Sequence, residues 1–187
     1  HGTLNMGLTY VQLKQAIQDW SENDGSEFTT ATGSGKAPID LCIELAEDRI
    51  QREADLNYFR KTTTILVTAD TNTTAIPQDV YITRYMKLQT GEFLEEKDDT
   101  FIREYTQNSA TTGTPKFFGY TSTGAAYTSS NRQIKYLFGP VPSVDTTLEI
   151  GYTIKPAGLS SSNANTYVGD FAPDVILYGS LVEASIF

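Results

Sequence analysis

FGPVPSVDTTLEIGYTIKP, residues 138–156, sets an aromatic strand end and a Gly-Pro-x-Pro turn before a strict alternation. Thr147, Glu149, Gly151 and Thr153 interleave with Leu148, Ile150, Tyr152 and Ile154. A period of two is the mark of a strand with one face buried. With RQIKYLFGP (132–140) before it, the stretch reads as two strands joined at Gly139-Pro140, with Pro142 stiffening the corner. Nothing beside the turn offers a nucleophile, metal ligands or a phosphate nest, so it reads as a hairpin corner rather than a ligand loop.

Working outward, KTTTILVTA (61–69), AIPQDVYITRYMKL (75–88) and KFFGYTST (116–123) are rich in Thr, Val, Ile, Tyr and Phe and bounded by turn residues. They predict five or six strands of one antiparallel system. DDTFIREY (98–105) predicts a short helix capped by Asp98 or Asp99, with Ile102 and Tyr105 turned inward. Either side of the β region the period changes to that of helices. Thr9 and Gln12 form a capping box ahead of Leu13, Ala16, Ile17 and Trp20 on one face, and Asn23-Asp24-Gly25 stops the helix. Pro38 opens a second helix with the apolar stripe Ile39, Cys42, Ile43, Ala46 and Ile50. Its other face carries Asp40, Glu44, Glu47, Asp48, Arg49, Arg52 and Glu53. Residues 170–187 predict a last helix, capped by Asp170 with Pro173 in its first turn. It runs to Phe187 without a cap, so the natural chain is expected to continue.

The fold class that follows is α+β. A helical bundle of two N-terminal helices plus a C-terminal helix (6–60 and 170–187) carries an inserted antiparallel β-domain (61–156), with 157–169 as a linker loop.

The 187 residues carry a net charge of −9, which disfavours wrapping nucleic acid, because phosphate contacts need clustered Lys and Arg. One cysteine, Cys42, excludes an internal disulfide, and its place on a core stripe marks a buried structural thiol. The single histidine is His1, which leaves a Ser-His-Asp triad or Cys-His pair without a base. No cofactor and no metal site are expected. GSGK (33–36) has Thr30 where a phosphate loop needs glycine, and Ala37 after the lysine. The acid-rich GEFLEEKDD (91–99) reads as a solvated turn. No run of apolar residues is long enough to span a membrane.

Several stretches, in order, carry a resemblance. They are LTYVQLKQAIQDW, CIELAEDRIQREADLNYFRK, IPQDV, FIREY with TTGTPKFFGY, FGPVPSVDTTLEIGYTIKP and APDVILYGSLVEASIF. Together they resemble the head-to-tail adaptor (connector) proteins of short-tailed bacteriophages, from Leu8 onward. The loop DGSEFTTATGSGKAP is longer than that pattern leads one to expect. The resemblance implies a non-enzymatic virion protein of the neck, assembled in the host cytoplasm as a twelve-fold ring under the portal protein. It implies that the ring extends the DNA channel, passes genomic DNA without sequence-specific binding, and carries the tail nozzle and tail fibre proteins. The mixed-sign helix face of Glu44, Asp48, Arg49, Arg52 and Glu53 is the candidate subunit interface, with both arginines pairing acids across it. The alternative is a carbohydrate-binding, host-attachment β-module, which would expose several coplanar aromatics on one face. A carboxylate glycosidase is a third reading and needs two acids across a cleft.

Overall fold

The computed structural model describes residues 7–23, 25–31, 35–54, 56–106, 112–122, 124 and 134–185. The chain divides into two compact units, residues 1–58 with 156–187, and residues 59–155.

The first unit is helical. Its elements are α1 (Tyr10–Ser21), α2 (Ser26–Thr29), α3 (Pro38–Glu53), α5 (Tyr167–Phe171) and α6 (Pro173–Ala184). The capping box at Thr9 and Gln12 forms as expected. Leu13 and Ile17 of α1, Ile39, Cys42, Ile43 and Ala46 of α3, and Ile176 of α6 are buried. α3 and α6 pack on each other, and α1 lies against both. Gly179 makes the α3–α6 approach close, since a Cβ there would stand 3.3 Å from that of Ala46. Three details differ from expectation. Trp20 is 62% exposed rather than part of the core stripe. The loop DGSEFTTATGSGKAP contains a short helix, α2, and its Phe28 is buried. Asp170 lies inside α5, a helix begun by Thr166, and α6 starts after a backbone break at Ala172 with no side-chain cap.

The second unit is a curled sheet. Its strands are β1 (Arg60–Val67), β2 (Thr73–Ala75), β3 (Val80–Leu88), β4 (Phe93–Glu96), β5 (Thr112–Gly113), β6 (Phe117–Ser122), β7 (Ile134–Gly139), β8 (Val141–Pro142) and β9 (Thr146–Ile154). Helix α4 (Asp99–Tyr105) lies between β4 and β5 in sequence, capped by Asp98 as expected. Seven strands run in the order β1-β9-β3-β4-β6-β7-β2. The sheet is mixed rather than wholly antiparallel, because β4 pairs with β6 in parallel. β7 and β9 are not neighbours: β7 pairs with β6 and β2, and β9 with β1 and β3. The Gly139–Pro142 segment is therefore not a hairpin corner. It carries the chain from one half of the sheet to the other, and β8 within it pairs with β5.

Both halves enclose one core. Ile65, Val67, Met86, Leu88, Leu148 and Ile150 from one side meet Phe118, Tyr136 and Phe138 from the other. The buried Tyr136 hydroxyl and the Thr83 hydroxyl lie 2.7 Å apart in a hydrogen bond that links β7 to β3. Helix α4 seats on β6 and β7 over two glycines. A Cβ at Gly119 would run into the Lys97 carbonyl and stand 2.9 Å from Ile102 Cδ1, and one at Gly139 would stand 3.1 Å from Ile102 Cγ2.

Gly119→Ala should destabilise the protein by about 1–3 kcal/mol, the usual range for overpacking against a backbone that cannot yield. Urea unfolding checks this, and a midpoint equal to the wild type's would contradict it.

Candidate functional site

α3 displays the charged face that the sequence predicted, but its members divide. Lys36 and Glu44 form an ion pair within the chain. Asp48 is half-buried, and Arg52 and Glu53 are exposed at the end of the helix. Arg49 turns to α6, where its Nη2 lies 2.6 Å from Oε1 of Glu183. Spacing along α3 alone does not point to this pairing. Glu183 is 7% exposed and Oε1 makes no hydrogen bond, so the angle makes this a charge contact only. A buried carboxylate with one charge partner is held mainly by that partner. Arg49 is thus committed inside the chain, and Arg52 is the arginine left facing outward. At the start of the helix, Asp40 accepts a hydrogen bond from the Tyr10 hydroxyl at 2.6 Å and pairs with Lys14 at 2.7 Å, which ties α1 to α3.

Glu47 also departs from the expected outward face. It is half-buried and accepts a hydrogen bond from the Leu159 N–H at 2.8 Å. Gly158 makes room for it, since a Cβ there would stand 2.6 Å from Oε2. Burial raises the Glu47 pKa, and the Leu159 hydrogen bond only partly opposes the shift.

The remaining candidate chemistry resolves into structure. Cys42 is fully buried, and its thiol pKa is raised by burial and then by the charge of Glu183, which makes it a poor nucleophile. The acid-rich segment is not a turn: Phe93–Glu96 is strand β4, Glu95 pairs with Lys97 at 2.6 Å, and Asp98 caps α4. Lys36 of the GSGK segment is engaged with Glu44, while residues 33 and 34 and His1 lie outside the described residues. Among the described residues, no group of three or more His, Cys, Asp or Glu side chains could hold a metal ion. No helix among them is long and apolar enough to cross a membrane.

The aromatics split between core and surface. Phe118, Tyr136, Phe138 and Tyr152 are buried. Tyr105 is exposed rather than turned inward, and it joins Phe101 and Phe117 in a cluster. Phe117 stands edge-on to both at 5.2 Å, so the rings pack on one another instead of forming an open platform.

Charge is divided as sharply as fold. The helical unit holds four Lys and Arg against thirteen Asp and Glu, whereas the β unit holds ten of each, so the whole −9 lies on the helical unit. Arg49 and Arg52 are half of that unit's basic residues.

A family model described as SU10 adaptor protein matches residues 8–187. The chain belongs to the SU10 adaptor protein family. This agrees with the resemblance to phage head-to-tail adaptors, and membership implies a structural rather than a catalytic role. A search of curated proteins found no match.

Two predictions follow from this chemistry. Arg49→Ala strands the buried Glu183 carboxylate and should destabilise the protein by about 1–3 kcal/mol. The further change Glu183→Gln should recover part of that loss in urea unfolding; no recovery would show that Arg49 acts through packing alone. For Glu47 the folded pKa is raised, so its contribution to stability is full below the ordinary carboxyl pKa and is lost as pH rises through the folded value. Glu47→Gln should therefore be at least as stable as wild type at neutral pH. Its advantage should shrink on acidification in melts across pH, and an advantage that grows toward acid would refute the assignment.

Proposed function

We propose that this protein is the head-to-tail adaptor of a short-tailed phage. It forms a ring of about twelve copies beneath the portal protein, extends the DNA channel, and carries the tail nozzle and fibre proteins. The observation that supports this most is the family match across residues 8–187. In this reading α1, α3 and α6 form the bundle of residues 6–60 and 170–187, the β-domain of residues 61–156 is its insertion, and 157–169 is the link. The adaptor resides in the virion neck after assembly in the host cytoplasm.

The charge distribution fits such a part. Acidic helical units repeated around a ring would meet DNA with like charge, so that it slides rather than binds. Self-association must then overcome repulsion between units that each carry −9. The α3 face of Glu44, Asp48, Arg49, Arg52 and Glu53 is the candidate contact, with Arg52 reaching acids of the neighbour. Mixed-sign faces fix register between partners more than they add affinity.

The mass of the purified protein in solution, with and without its portal, tests the adaptor reading. Conversion to a ring on the portal is the expected result, and indifference to the portal with binding to host polysaccharide would favour the attachment-module alternative. Reversing Arg49 and Arg52 together to Glu should block the ring. Because Arg49 also neutralises Glu183, the exposed Arg52→Glu alone is the cleaner variant. It should melt like wild type and assemble poorly, and intact rings from it would remove α3 from the interface.

A further inference from the structure

Helix α6 is apolar on most of its circumference, yet it buries only one side. Ile176, Ser180 and Glu183 face inward, while Val175, Tyr178 and Val182 remain exposed. The spacing of three and then four residues places the exposed three on one stripe. Trp20 of α1 stands edge-on to Tyr178 with ring centroids 5.9 Å apart, which widens the stripe into a seam across two helices. Phe171, four residues before Val175, is the most exposed of the group at 75%. A helix apolar all round is ordinarily covered all round, and an apolar surface of this kind marks an interaction site.

The charges around the seam say what covers it. Residues 156–187 contain no Lys or Arg, and the exposed Asp19, Glu22 and Asp174 each lie within two residues of a seam residue in sequence, while Arg49 of α3, which reaches α6, is paired with Glu183. The whole unit carries −9. A second copy laid on the seam through its own helical unit would bring like charge to like. We infer that the seam of Trp20, Val175, Tyr178 and Val182 docks a cationic amphipathic helix of another protein. Apolar side chains of that helix fill the seam while its Lys or Arg side chains pair the acidic margin. This is the helix-in-groove mode of recognition. The inference rests on the adaptor reading only in taking the partner to be a neighbouring virion protein. It concerns a different helix from the α3 face assigned to subunit contact.

Trp20 is the single tryptophan and lies in the seam, so its emission reports occupancy directly. The probe is a synthetic helical peptide of Leu and Lys with Leu at heptad spacing; a Leu/Glu peptide of the same pattern is the control. The Leu/Lys peptide should shift Trp20 emission to the blue saturably, more weakly at high salt, and the Leu/Glu peptide should not. Val175→Ser with Val182→Ser leaves charge unchanged at two exposed positions and should weaken binding about tenfold or more, given the transfer free energy of two buried valines. Val11→Ser, at an exposed apolar position on α1, should change nothing.

Equal binding by the double variant would reduce the effect to bulk charge, and equal binding of the Leu/Glu peptide would reduce it to hydrophobic adhesion. An unmoved Trp20 would show that the seam takes no such helix. Sedimentation showing that the free protein self-associates with Trp20 buried would assign the seam to a second copy. Each of these overturns the inference. The assay needs neither ring nor portal, so its failure leaves the portal experiment intact and the two readings fall separately.

Discussion

The β unit depends on closing one core between two halves of a sheet that are far apart in strand order. Tyr136 of β7 bridges this closure. It is fully buried, and it shares a hydrogen bond with Thr83 of β3, three strands away in the sheet. The strand β4 is as necessary. It has only four residues, yet it pairs antiparallel with β3 and parallel with β6, and so joins the halves into one sheet.

Much of this was legible in the sequence wherever local chemistry decides the outcome. The capping box at Thr9, the Asp98 cap and the alternation in β9 all specify their own neighbourhoods. Strand partners are a different kind of information. Alternation shows that 134–139 and 146–154 are strands, but it cannot say that other strands separate them, since the connection between them admits either answer. β4 was hidden because Glu92, Glu95 and Glu96 outweigh Leu94 in any reading of composition. Trp20 and Tyr105 misled for a common reason. Large aromatics at helical spacing look like core, yet a short helix can hold them at its margin.

The α3 face shows the same division. Its charged character follows from spacing alone, whereas the assignment of Arg49 to Glu183 needs the packing of α6 on α3. The separation of charge between the units was also present in the sequence, but it becomes visible only when the unit boundaries are known. An acidic helical unit joined to an electrically balanced β unit gives one chain two parts of different charge. By its charge alone the first would repel nucleic acid and favour basic surfaces, whereas the second has no net charge to steer contact.

Ile102 carries a further consequence. It sits over Gly119 and Gly139, which occupy diagonal positions on the paired strands β6 and β7. A slip of one residue between these strands would turn every side chain to the opposite face and drive one into the space that the isoleucine occupies. The peg and its two empty sockets thus act as a gauge of register. Helix α4 can seat only on strands already paired correctly, so its docking certifies the alignment of the sheet beneath it.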